Sequence, residues 1–588
     1  MAIKGDINYD LIASTVSGWW EDWTVARQDK EKIWDEVVQA YLVHVDESKF
    51  DKWPWRCKVA DPFCQETADT IASQLRNFLF PVNEKYFEVQ GLNLIGQAQA
   101  ARMQGFIETQ LKLTQFIESV MPWLKQISVI GNAPFLLRYG TIRESFTRRE
   151  LQVNLTTRRT SVQEVKTVAG MKEGVIFESL DAYDVAFDPA AIILCDSPVI
   201  RRMTLPLPQV EQKAAAWRLE HVDLLAEEGG RAPEEQSDMH KQTRQRLFGL
   251  QEEAQGQEKD QDVELLWCWG DLLFDGELYE NYVVVVANRT QVLRCEPHGF
   301  WAGRPINWGG YDPMWNSAYH KGPLEPVRGT QHLLNTFQCQ KADILNLIIN
   351  GSFLYVDDGI IDPDLLYMKP AGGIPVGNIN NVKPLQPTNN VALTYTEIEQ
   401  LRARGERSSG VSRFDMGQAP GGRRTAYEAN LIRGGGSTRM NDVLRHLANG
   451  PLEAALNWIV RTNQQFKWDS GEIDNQTLLG DYYVQFTGAD ISVVRNFELQ
   501  NQMLLLQLLS QSPELAAAVN KRNLMSKLLG TLSMNDPALI NTPEEMEREL
   551  ALLQQAARPQ PALGPQPEGV VGGADEQLRS LVANLGTP

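Results

Sequence analysis

The residues best suited to bind a charged partner are the arginines concentrated between Leu401 and Arg445. This segment holds nine arginines against four acidic residues, a net charge of +5, and it contains no lysine. Planar guanidinium groups bind phosphates and carboxylates through paired hydrogen bonds, so the composition indicates either phosphate contacts or buried carboxylate pairs. The nine are Arg402, Arg404, Arg407, Arg413, Arg423, Arg424, Arg433, Arg439 and Arg445, and the acids are Glu406, Asp415, Glu428 and Asp442.

Arg423 and Arg424 are the two arginines that we expect to lie nearest to nucleic acid. They follow Phe414–Gly422, a stretch too rich in glycine and proline to be helical, which predicts a flexible loop. For any single arginine of the segment, a solvated helix face or a salt bridge between subunits is an equally good interpretation. Both interpretations therefore remain open at the level of the sequence.

The charge of the whole chain restricts how it could interact with nucleic acid. Its 588 residues include 56 Lys and Arg against 75 Asp and Glu, a formal net charge of −19. Because the arginine segment carries +5, the remainder carries −24. Neutralising a phosphate backbone requires a surplus of basic residues, so a uniformly basic nucleic-acid-binding protein is excluded. Only a local basic patch could contact DNA.

A second group with possible chemistry is the acidic cluster Asp357, Asp358, Asp362 and Asp364. Four carboxylates in eight positions could hold a divalent metal, as in a metal-dependent nuclease. These residues lie among glycines and prolines, where aspartate favours turns, and no glutamate stands at the spacing that closes an EF-hand loop. We therefore interpret the cluster as turn-forming and predict no metal site.

Motifs of catalysis and cofactor binding are missing from the chain. The sequence contains no GxxxxGK[ST], HExxH, GxSxG or GxGxxG motif. Its seven histidines are widely separated along the sequence and are interpreted as structural or surface residues. We therefore expect a protein that is not an enzyme and that has no catalytic residues and no cofactor.

Cysteine usage and hydropathy indicate the environment of the chain. The six cysteines are scattered without a CxxC pair, and the polar start MAIKGDINYD is not a secretory signal. This pattern predicts buried free thiols in a reducing compartment. No apolar run approaches 18 residues, so we expect no integral membrane protein.

The elements before residue 330 are predicted to be helices followed by strands. Trp34, Val37 and Val38 have helical spacing, Asp61-Pro62 is a helix start, and a further helix is expected from about Met103 to Ile130. A strand-rich region follows, in which Asp275-Gly276 is a hairpin signal. The polar segment 209–262 interrupts this region, and its stretch EEGGRAPEEQ is predicted to be a loop between two solvated helices.

The middle of the chain predicts a helix, a small irregular module and a second helix. Gln331–Asn350 has an apolar stripe, and Phe353–Ala392 is rich in proline and glycine with a short strand at its start. The second helix is expected to start at a capping box formed by Thr394 and Glu397.

A kinked helical assembly is predicted after the glycine-rich loop. Thr425 and Glu428 form another capping box, and Gly434, Gly435 and Gly436 should interrupt the helix that it starts. Apolar faces then continue on both sides of Gly450-Pro451. A strand is expected within 477–487, followed by helices over 497–532 and 543–555 and by a Pro/Gly/Gln-rich, disordered tail.

This order of elements resembles the portal proteins, or head-to-tail connectors, of short-tailed, podovirus-type bacteriophages. Arg424-Thr425-Ala426-Tyr427-Glu428 is similar to their RTA-x-E signature, which includes Thr425, Ala426 and Glu428. GDLLFDGELYENYVVVVAN with the downstream PHGFWAGRPINWGGYDP resembles their wing, and QHLLNTFQCQKADILN resembles the helix that enters their stem. FCQETADTIASQLRNFLFPVNEKYFEV is also similar, so the resemblance covers roughly Trp20 to Leu509.

The resemblance implies an α+β, predominantly helical fold with wing, stem, clip and crown regions. By this resemblance residues 1–325 form the N-terminal wing, 326–352 the first stem helix, 353–392 the clip and 393–413 the second stem helix. Residues 414–423 form the channel loop, 424–495 a long kinked wing helix with a wing strand, and 496–557 the crown. Residues 558–588 are the tail. The glycines at 434–436 exceed the family pattern, so either this hinge or 414–423 could be the DNA-facing loop.

The resemblance also implies a function and its partners. Family members form twelvefold rings at one capsid vertex of the virion, and double-stranded DNA is packaged and ejected through the central channel. The clip docks the terminase motor and later the tail adaptor, while scaffold and major capsid proteins surround the ring, and assembly takes place in the host cytoplasm. The arginines expected to face the channel are Arg413, Arg423, Arg424, Arg433 and Arg439.

Two other classes of protein remain as alternatives. One is a phage tail adaptor or an internal virion structural protein, although adaptors are generally much shorter than this chain. The other is a metal-dependent nuclease that uses the acidic cluster, although segment 353–392 contains no histidine. An acidic channel wall is also physically sensible, because each added cation would increase DNA affinity and slow sliding.

Overall fold

The computed structural model describes residues 9–45, 56–81, 85–154, 159–223, 225, 262–274, 277–350, 352–355, 382–385, 391–411, 439–468 and 470–488, to which all structural statements refer. All of these residues belong to one compact unit, Met1–Asn496. The second unit, Phe497–Pro588, contains the predicted crown helices and tail and lies outside the described residues. In the described part of the chain more residues are helical than are in strands, so the α+β, mostly helical class is confirmed.

Ten helices are named here in chain order. They are α1 Tyr9–Tyr41, α2 Phe63–Leu79, α3 Leu94–Leu113, α4 Phe116–Ile130, α5 Leu207–Trp217, α6 Arg328–Asn350, α7 Val391–Ser409, α8 439–447, α9 Glu453–Phe466 and α10 Asn475–Leu478. A π-helical turn, Ala448–Leu452, joins α8 to α9.

The strands form two larger sheets and three two-stranded ones. The strands are β1 Phe87–Gly91, β2 Asn132–Asn154, β3 Arg159–Ser179, β4 Val185–Phe187, β5 Val199–Pro206, β6 Asp262–Phe274, β7 Glu277–Ala287, β8 Gln291–Pro297, β9 Ile306–Gly310, β10 Asp312–Met314, β11 Ser317–Lys321, β12 Ser352–Tyr355, β13 Val382–Leu385 and β14 Tyr482–Phe486. The sheet orders are β3-β2-β9, β4-β5-β6-β7-β8, β1-β14, β10-β11 and β12-β13.

Helix α1 covers the five-stranded sheet with the apolar stripe that its sequence predicts. Val16 and Trp20 belong to one core cluster with sheet residues such as Val284, and Trp34 and Val37 belong to a second one. All four α1 residues are almost completely removed from solvent. Complete burial of one such side chain contributes about 1.5–3 kcal/mol. The buried residues lie in both halves of α1, so both halves are packed against the core.

A buried ion cluster adds a specific link between α1 and the sheet. The Glu264 carboxylate is fully buried and accepts from Arg202 and from Arg289, whose Nε is 2.9 Å away. Arg289 also reaches Glu21 of α1 through Nη1 at 2.8 Å. Because Glu264 and Arg202 are both buried, removal of the shared carboxylate would leave buried positive charge.

The helix expected over 103–130 is in fact two helices. The chain breaks between α3 and α4 at Gln115, whose φ of 51° lies in the left-handed region. No glycine or proline marks the break, and Pro122 lies inside α4 instead. The packing of Phe116 and Trp123 into the core sets the direction of α4, so tertiary contacts override the local helical pattern.

The hairpin predicted at Asp275-Gly276 is confirmed by the register of the strands on either side. Strands β6 and β7 pair from Leu265 opposite Ala287 to Phe274 opposite Glu277, so two residues connect them. Asn-Gly and Asp-Gly are typical of such two-residue turns.

Helices α8 and α9 form the kinked assembly that the sequence predicts. Val443 and Leu444 of α8 and Leu456 and Ile459 of α9 are buried in one core cluster. Pro451 has no N–H and lies within the π-helical turn, which accommodates the extra residue and bends the path of the chain. The strand expected within 477–487 is β14, which pairs with β1 from Phe486 opposite Phe87 to Tyr482 opposite Gly91.

The described residues also bear on the predictions for the cysteines, for membrane-spanning helices and for the polar segment 209–262. All six cysteines are free. Cys64 and Cys268 are buried as expected, whereas Cys57, Cys295 and Cys339 are only half-buried and Cys195 is exposed in a short surface 3-10 turn, so the expectation of buried thiols is wrong for Cys195 and holds only in part for the other three. In the described part of the chain no helix is long and apolar enough to cross a membrane. Most of the polar segment 209–262 lies outside the described residues.

Candidate functional site

The candidate site is built on the helix pair α6 and α7. The two helices enclose the β12–β13 strand pair in the sequence, and the strands pair from Ser352 opposite Leu385 to Tyr355 opposite Val382. The Nζ of Lys341 on α6 lies 4.0 Å from the ring centroid of Tyr395 on α7, which is a cation–π contact. The helix–module–helix order predicted from the sequence is therefore present in the described residues.

The second helix of this pair starts earlier than its capping box predicts. Helix α7 begins at Val391, so Thr394 lies in its first turn instead of preceding it. Helix α6 begins at Arg328, preceded by the 3-10 turn Glu325–Val327. Helix boundaries depend on tertiary packing, which extends α7 by one turn beyond the local signal.

A single buried aspartate, Asp61, connects the chain before α2 to both helices of the pair. Its side chain is 1% exposed. The carboxylate accepts from Arg402 Nη2 on α7 at 3.0 and 2.9 Å and from Gln338 Nε2 on α6 at 3.0 Å. One carboxylate therefore joins α6 and α7.

The backbone of Asp61 extends this connection. Its N–H donates to Asn335 Oδ1 at 2.9 Å, and its carbonyl oxygen accepts from Gln331 Nε2 at 2.6 Å. Its Oδ1 also accepts from the N–H of Phe63 at 3.1 Å, which caps the start of α2 as the sequence predicts. Three helices thus meet at one residue, and we name this set of contacts the Asp61 clamp.

The clamp decides between the two interpretations of Arg402. The side chain of Arg402 is 24% exposed, and its guanidinium is paired with the buried carboxylate. For Arg402 the structure therefore selects the carboxylate pair over a phosphate contact. Sequence reasoning identified Asp61 only as a helix cap, because its other partners stand more than 270 residues away.

The described ends of segment 412–438 lie next to each other. Val411 and Met440 are buried in the same core cluster. Arg439 Nη1 donates to the carbonyl oxygen of Arg407 at 3.2 Å, and Gly410, with a φ of +78°, lies beside the Arg439 side chain. The chain therefore leaves α7 and returns to α8 at a fixed point.

This point also carries three exposed arginines. Arg404 and Arg407 stand three residues apart on α7 and are exposed, as is Arg439. Residues at this spacing share one helix face. Only Arg439 was among the five channel candidates; Arg404 and Arg407 were not singled out, although their spacing from one another was visible in the sequence. We name these three residues the arginine belt. Of the other described arginines of the segment, Arg402 belongs to the Asp61 clamp and Arg445 on α8 is also exposed.

The other predicted site residues lie outside the described part of the chain. These are Arg413, Arg423, Arg424 and Arg433 of the channel candidates, Thr425, Ala426 and Glu428 of the signature, Gly434, Gly435 and Gly436 of the hinge, and Asp357, Asp358, Asp362 and Asp364 of the acidic cluster. Their positions and roles stay predictions.

Two histidines that are far apart in the sequence meet at α8. The Nε2 atoms of His320 on β11 and His446 on α8 lie 3.1 Å apart, so one neutral ring donates to the other. Burial lowers the pKa of His320 to about 3, with repulsion from His446 and Lys30 added. Burial also lowers the pKa of His446, against an opposite effect of Asp312. Both rings are therefore neutral at pH 7.

The His320 ring is held in place by its neighbours. Its backbone N–H donates to Asn132 Oδ1 at 2.8 Å, and its carbonyl oxygen accepts from Asn132 Nδ2 at 2.7 Å. A Cβ on Gly310 would lie 1.9 Å from the His320 Cγ, so only glycine allows the ring to pack there. The interpretation of this histidine as structural fits these contacts.

A groove with a volume of about 550 Å³ lies between α3 and α10. Its lining includes Phe106 and Ile473 with the charged groups Arg102, Glu173 and Asp474, and Arg102 pairs with Asp474 at 2.7 Å. Within the described ranges no group of three or more His, Cys, Asp or Glu residues could hold a metal ion. The groove is a surface feature without a metal-binding arrangement.

Comparison with known families gives a match that spans the helix pair. The family model described as phage SU10 portal protein matches residues 147–579, which is more than half of the chain. The match includes α6, the β12–β13 pair, α7, α8 and α9. No curated protein matches the chain. The chain belongs to the phage SU10 portal protein family and is a portal protein of the podovirus type.

Proposed function

We propose that this protein assembles into a ring at one capsid vertex, through whose central channel double-stranded DNA is packaged and later ejected. The observation that carries the proposal is the family match across the helix pair and the segment between its helices. Portal proteins are structural proteins, so the proposed role requires no catalytic residue, no cofactor and no metal. The ring size of twelve subunits comes from the family resemblance.

The helix pair supports an assignment of α6 and α7 as the stem. Helices that line a channel under load must keep their spacing, and the Asp61 clamp joins both to the body of the subunit through a buried carboxylate. Breaking a buried ion pair by removal of one partner typically costs about 3–5 kcal/mol. The clamp therefore has the strength that a stem support needs.

The segment between the stem helices, 353–392, is proposed as the clip. We propose that it docks the terminase motor during packaging and the tail adaptor afterwards. The β12–β13 pair supports this assignment, because it brings the two ends of the segment together beside α6 and α7. The wing, crown and tail regions keep the boundaries that the resemblance implies, and scaffold and major capsid proteins are the proposed neighbours in the virion.

The arginine belt is proposed to face the DNA. Arg404, Arg407 and Arg439 are exposed at the point where segment 412–438 leaves and re-enters the body. Contacts between arginine and phosphate position a duplex without reading its sequence, as a channel requires. Arg423 and Arg424 are proposed to extend the belt along the channel loop.

Electron microscopy of the purified full-length chain tests the ring. We expect rings with a central hole in negatively stained images and a single high-mass species in mass photometry. A monodisperse monomer at micromolar concentration would contradict the proposal and would favour an adaptor or an internal virion protein.

Arginine substitutions test the channel. Arg423→Ala combined with Arg424→Ala should reduce DNA packaging or retention while the rings persist. Arg402→Ala is the matched comparison, because this arginine pairs with Asp61 and should affect folding instead. Loss of rings in the Arg423/Arg424 variant would assign these two residues to subunit contacts. Replacing the four acidic-cluster aspartates by asparagine should leave DNA packaging intact if no nuclease is present.

A further inference from the structure

The distal part of the β2–β3 hairpin has no third strand. Residues 143–154 and 159–172, named here the basic arm, pair from Arg143 opposite Met171 to Asn154 opposite Arg159. Strand β9 pairs only with Asn132–Leu136 at the other end of β2. In the described part of the chain the strands of the arm therefore bond only to each other, over ~35 Å at ~3.4 Å per residue.

A two-stranded ribbon of this length has two physical weaknesses. Isolated hairpins are at best marginally stable in water, and their outer edges present unpaired N–H and C=O groups. The register also places Leu151 opposite Val162, and in a two-stranded ribbon each of these apolar residues has a neighbouring strand on one side only. Contact with a protein surface would remove both weaknesses.

The charge of the arm is opposite to that of the rest of the chain. Six basic residues stand against three acidic ones, a net charge of +3, so the remainder of the chain carries −22. The basic residues are Arg143, Arg148, Arg149, Arg159, Lys166 and Lys172, and the acids are Glu144, Glu150 and Glu164. The most abundant acidic surface near any assembled subunit is another subunit.

We propose that the basic arm binds the acidic surface of the next copy of this chain. Every copy has the same basic arm, so contact between two arms is electrostatically unfavourable, whereas contact between an arm and a neighbouring body is favourable. Such a contact joins two different surfaces and is therefore heterologous, the type that closes into rings. The inference rests on the proposed ring and identifies the segment that holds its subunits together.

A protein partner fits the arm better than DNA does. Three acidic residues are interspersed among the basic ones, and each would repel a phosphate backbone. The apolar pair Leu151–Val162 gains nothing from phosphates but is stabilised by burial against protein. Binding of DNA by the arm is the competing outcome that the experiment below must separate.

Two variants test the arm. In the first, an Asn-Gly turn replaces residues 143–171 and joins Ile142 to Lys172, which are opposite each other in the register. In the second, Arg148→Glu and Arg149→Glu reverse the charge and leave the backbone length unchanged. The control for the second is Arg76→Glu with Lys85→Glu, two exposed residues of the body with the same total change in charge.

We expect both arm variants to fold, as judged by circular dichroism, and to raise the concentration for half-assembly at least tenfold in mass photometry. The body control should assemble like wild type. Rings of unchanged stability in both arm variants would overturn the arm proposal and leave the ring function intact. Normal rings with reduced DNA binding would overturn it in favour of a DNA contact. A wild-type chain without rings would refute both proposals.

Zero-length cross-linking locates the contact directly. Carbodiimide joins lysine amines to nearby carboxylates, and rings reconstituted from equal amounts of ¹⁴N- and ¹⁵N-labelled chains distinguish contacts between copies. We expect mixed-isotope peptides that link Lys166 or Lys172 to aspartates or glutamates of the body. Links of these lysines within single copies alone would contradict the proposal.

Discussion

Replacing Asp61 with alanine should release helices α6 and α7 from the body of the subunit. The change removes the acceptor of Arg402 and Gln338 and the cap on Phe63. Loss of a helix cap costs about 1 kcal/mol, and a hydrogen bond to a charged group contributes about 1.5–3 kcal/mol. Because the Arg402 side chain is 24% exposed and can regain water, we use the lower value of about 1.5 kcal/mol for its bond. Gln338 is neutral and half-buried, so we count its bond at about 0.5 kcal/mol, and with the cap the total cost is roughly 3 kcal/mol.

The cost should appear as local opening. Every 1.4 kcal/mol corresponds to a factor of ten, so the opening equilibrium of the clamp should rise about 150-fold. Hydrogen–deuterium exchange with mass spectrometry should show the increase in peptides covering 56–64 and 331–343. Peptides from β14, such as 482–486, should exchange as in wild type, because their buried side chains lie in a different core cluster from Phe63, Leu334 and Leu401.

Asp69→Ala provides the matched control. Asp69 lies on α2 itself and is half-exposed in its pair with Lys125, so its loss should cost less than 1 kcal/mol. Arg402→Ala should be at least as destabilising as Asp61→Ala, since it leaves a buried carboxylate without a cation. The double variant should cost less than the sum of the two. Equal exchange in Asp61→Ala and Asp69→Ala would refute the clamp.

Three further substitutions test the packing described above. Glu264→Gln should destabilise the chain by roughly 3 kcal/mol, because it leaves two arginines without their shared carboxylate, and thermal melts would measure the loss. The pKa of His446 is lowered in the folded chain, so below about pH 6.5 the unfolded chain binds more protons than the folded chain. Stability must therefore decrease as the pH is lowered. His446→Gln should therefore reduce the dependence of stability on pH between 7 and 5 by up to ~1.4 kcal/mol per pH unit. Gly310→Ala should cost more than about 2 kcal/mol in thermal melts, because the new methyl group would overlap the ring of His320.

Each of these three substitutions has its own control or its own contradicting result. Glu296→Gln changes a partly exposed glutamate and should have little effect beside Glu264→Gln. Identical pH dependence in wild type and His446→Gln would show that the histidine pair does not control stability in this range. Gly329→Ala adds a methyl group to a helix with open space around it and should be neutral or slightly stabilising. An equally tolerated Gly310→Ala would show that the ring can move aside.

Elements with strong local periodicity were predictable from the sequence. The spacing of Trp34, Val37 and Val38 predicts α1, and the apolar faces on both sides of Pro451 predict the bent α8–α9 assembly. Local chemistry also predicts the cap at Asp61 and the turn between β6 and β7. In each case the signal and the structure that it forms lie within a few residues.

What could not be predicted depends on contacts between distant residues. The break at Gln115 has no local signal, and α7 begins one turn before its capping box. Arg402 allows both a phosphate and a carboxylate partner until Asp61, 341 residues away, is seen beside it. The meeting of His320 and His446 is equally invisible, since 126 residues separate them.

The anchoring of segment 412–438 at both ends has a consequence for how the channel can change during evolution. Val411 and Met440 are buried in one core cluster, and Arg439 is bonded to the Arg407 carbonyl group, so the helical frame does not depend on the length of the segment. The entropic cost of closing a loop grows only with the logarithm of its length, and ten additional residues would cost about 0.3 kcal/mol. If this segment forms the proposed channel loop, insertions and deletions there alter the bore while the subunit keeps its stability, which lets the opening adapt to its DNA independently of the capsid around it.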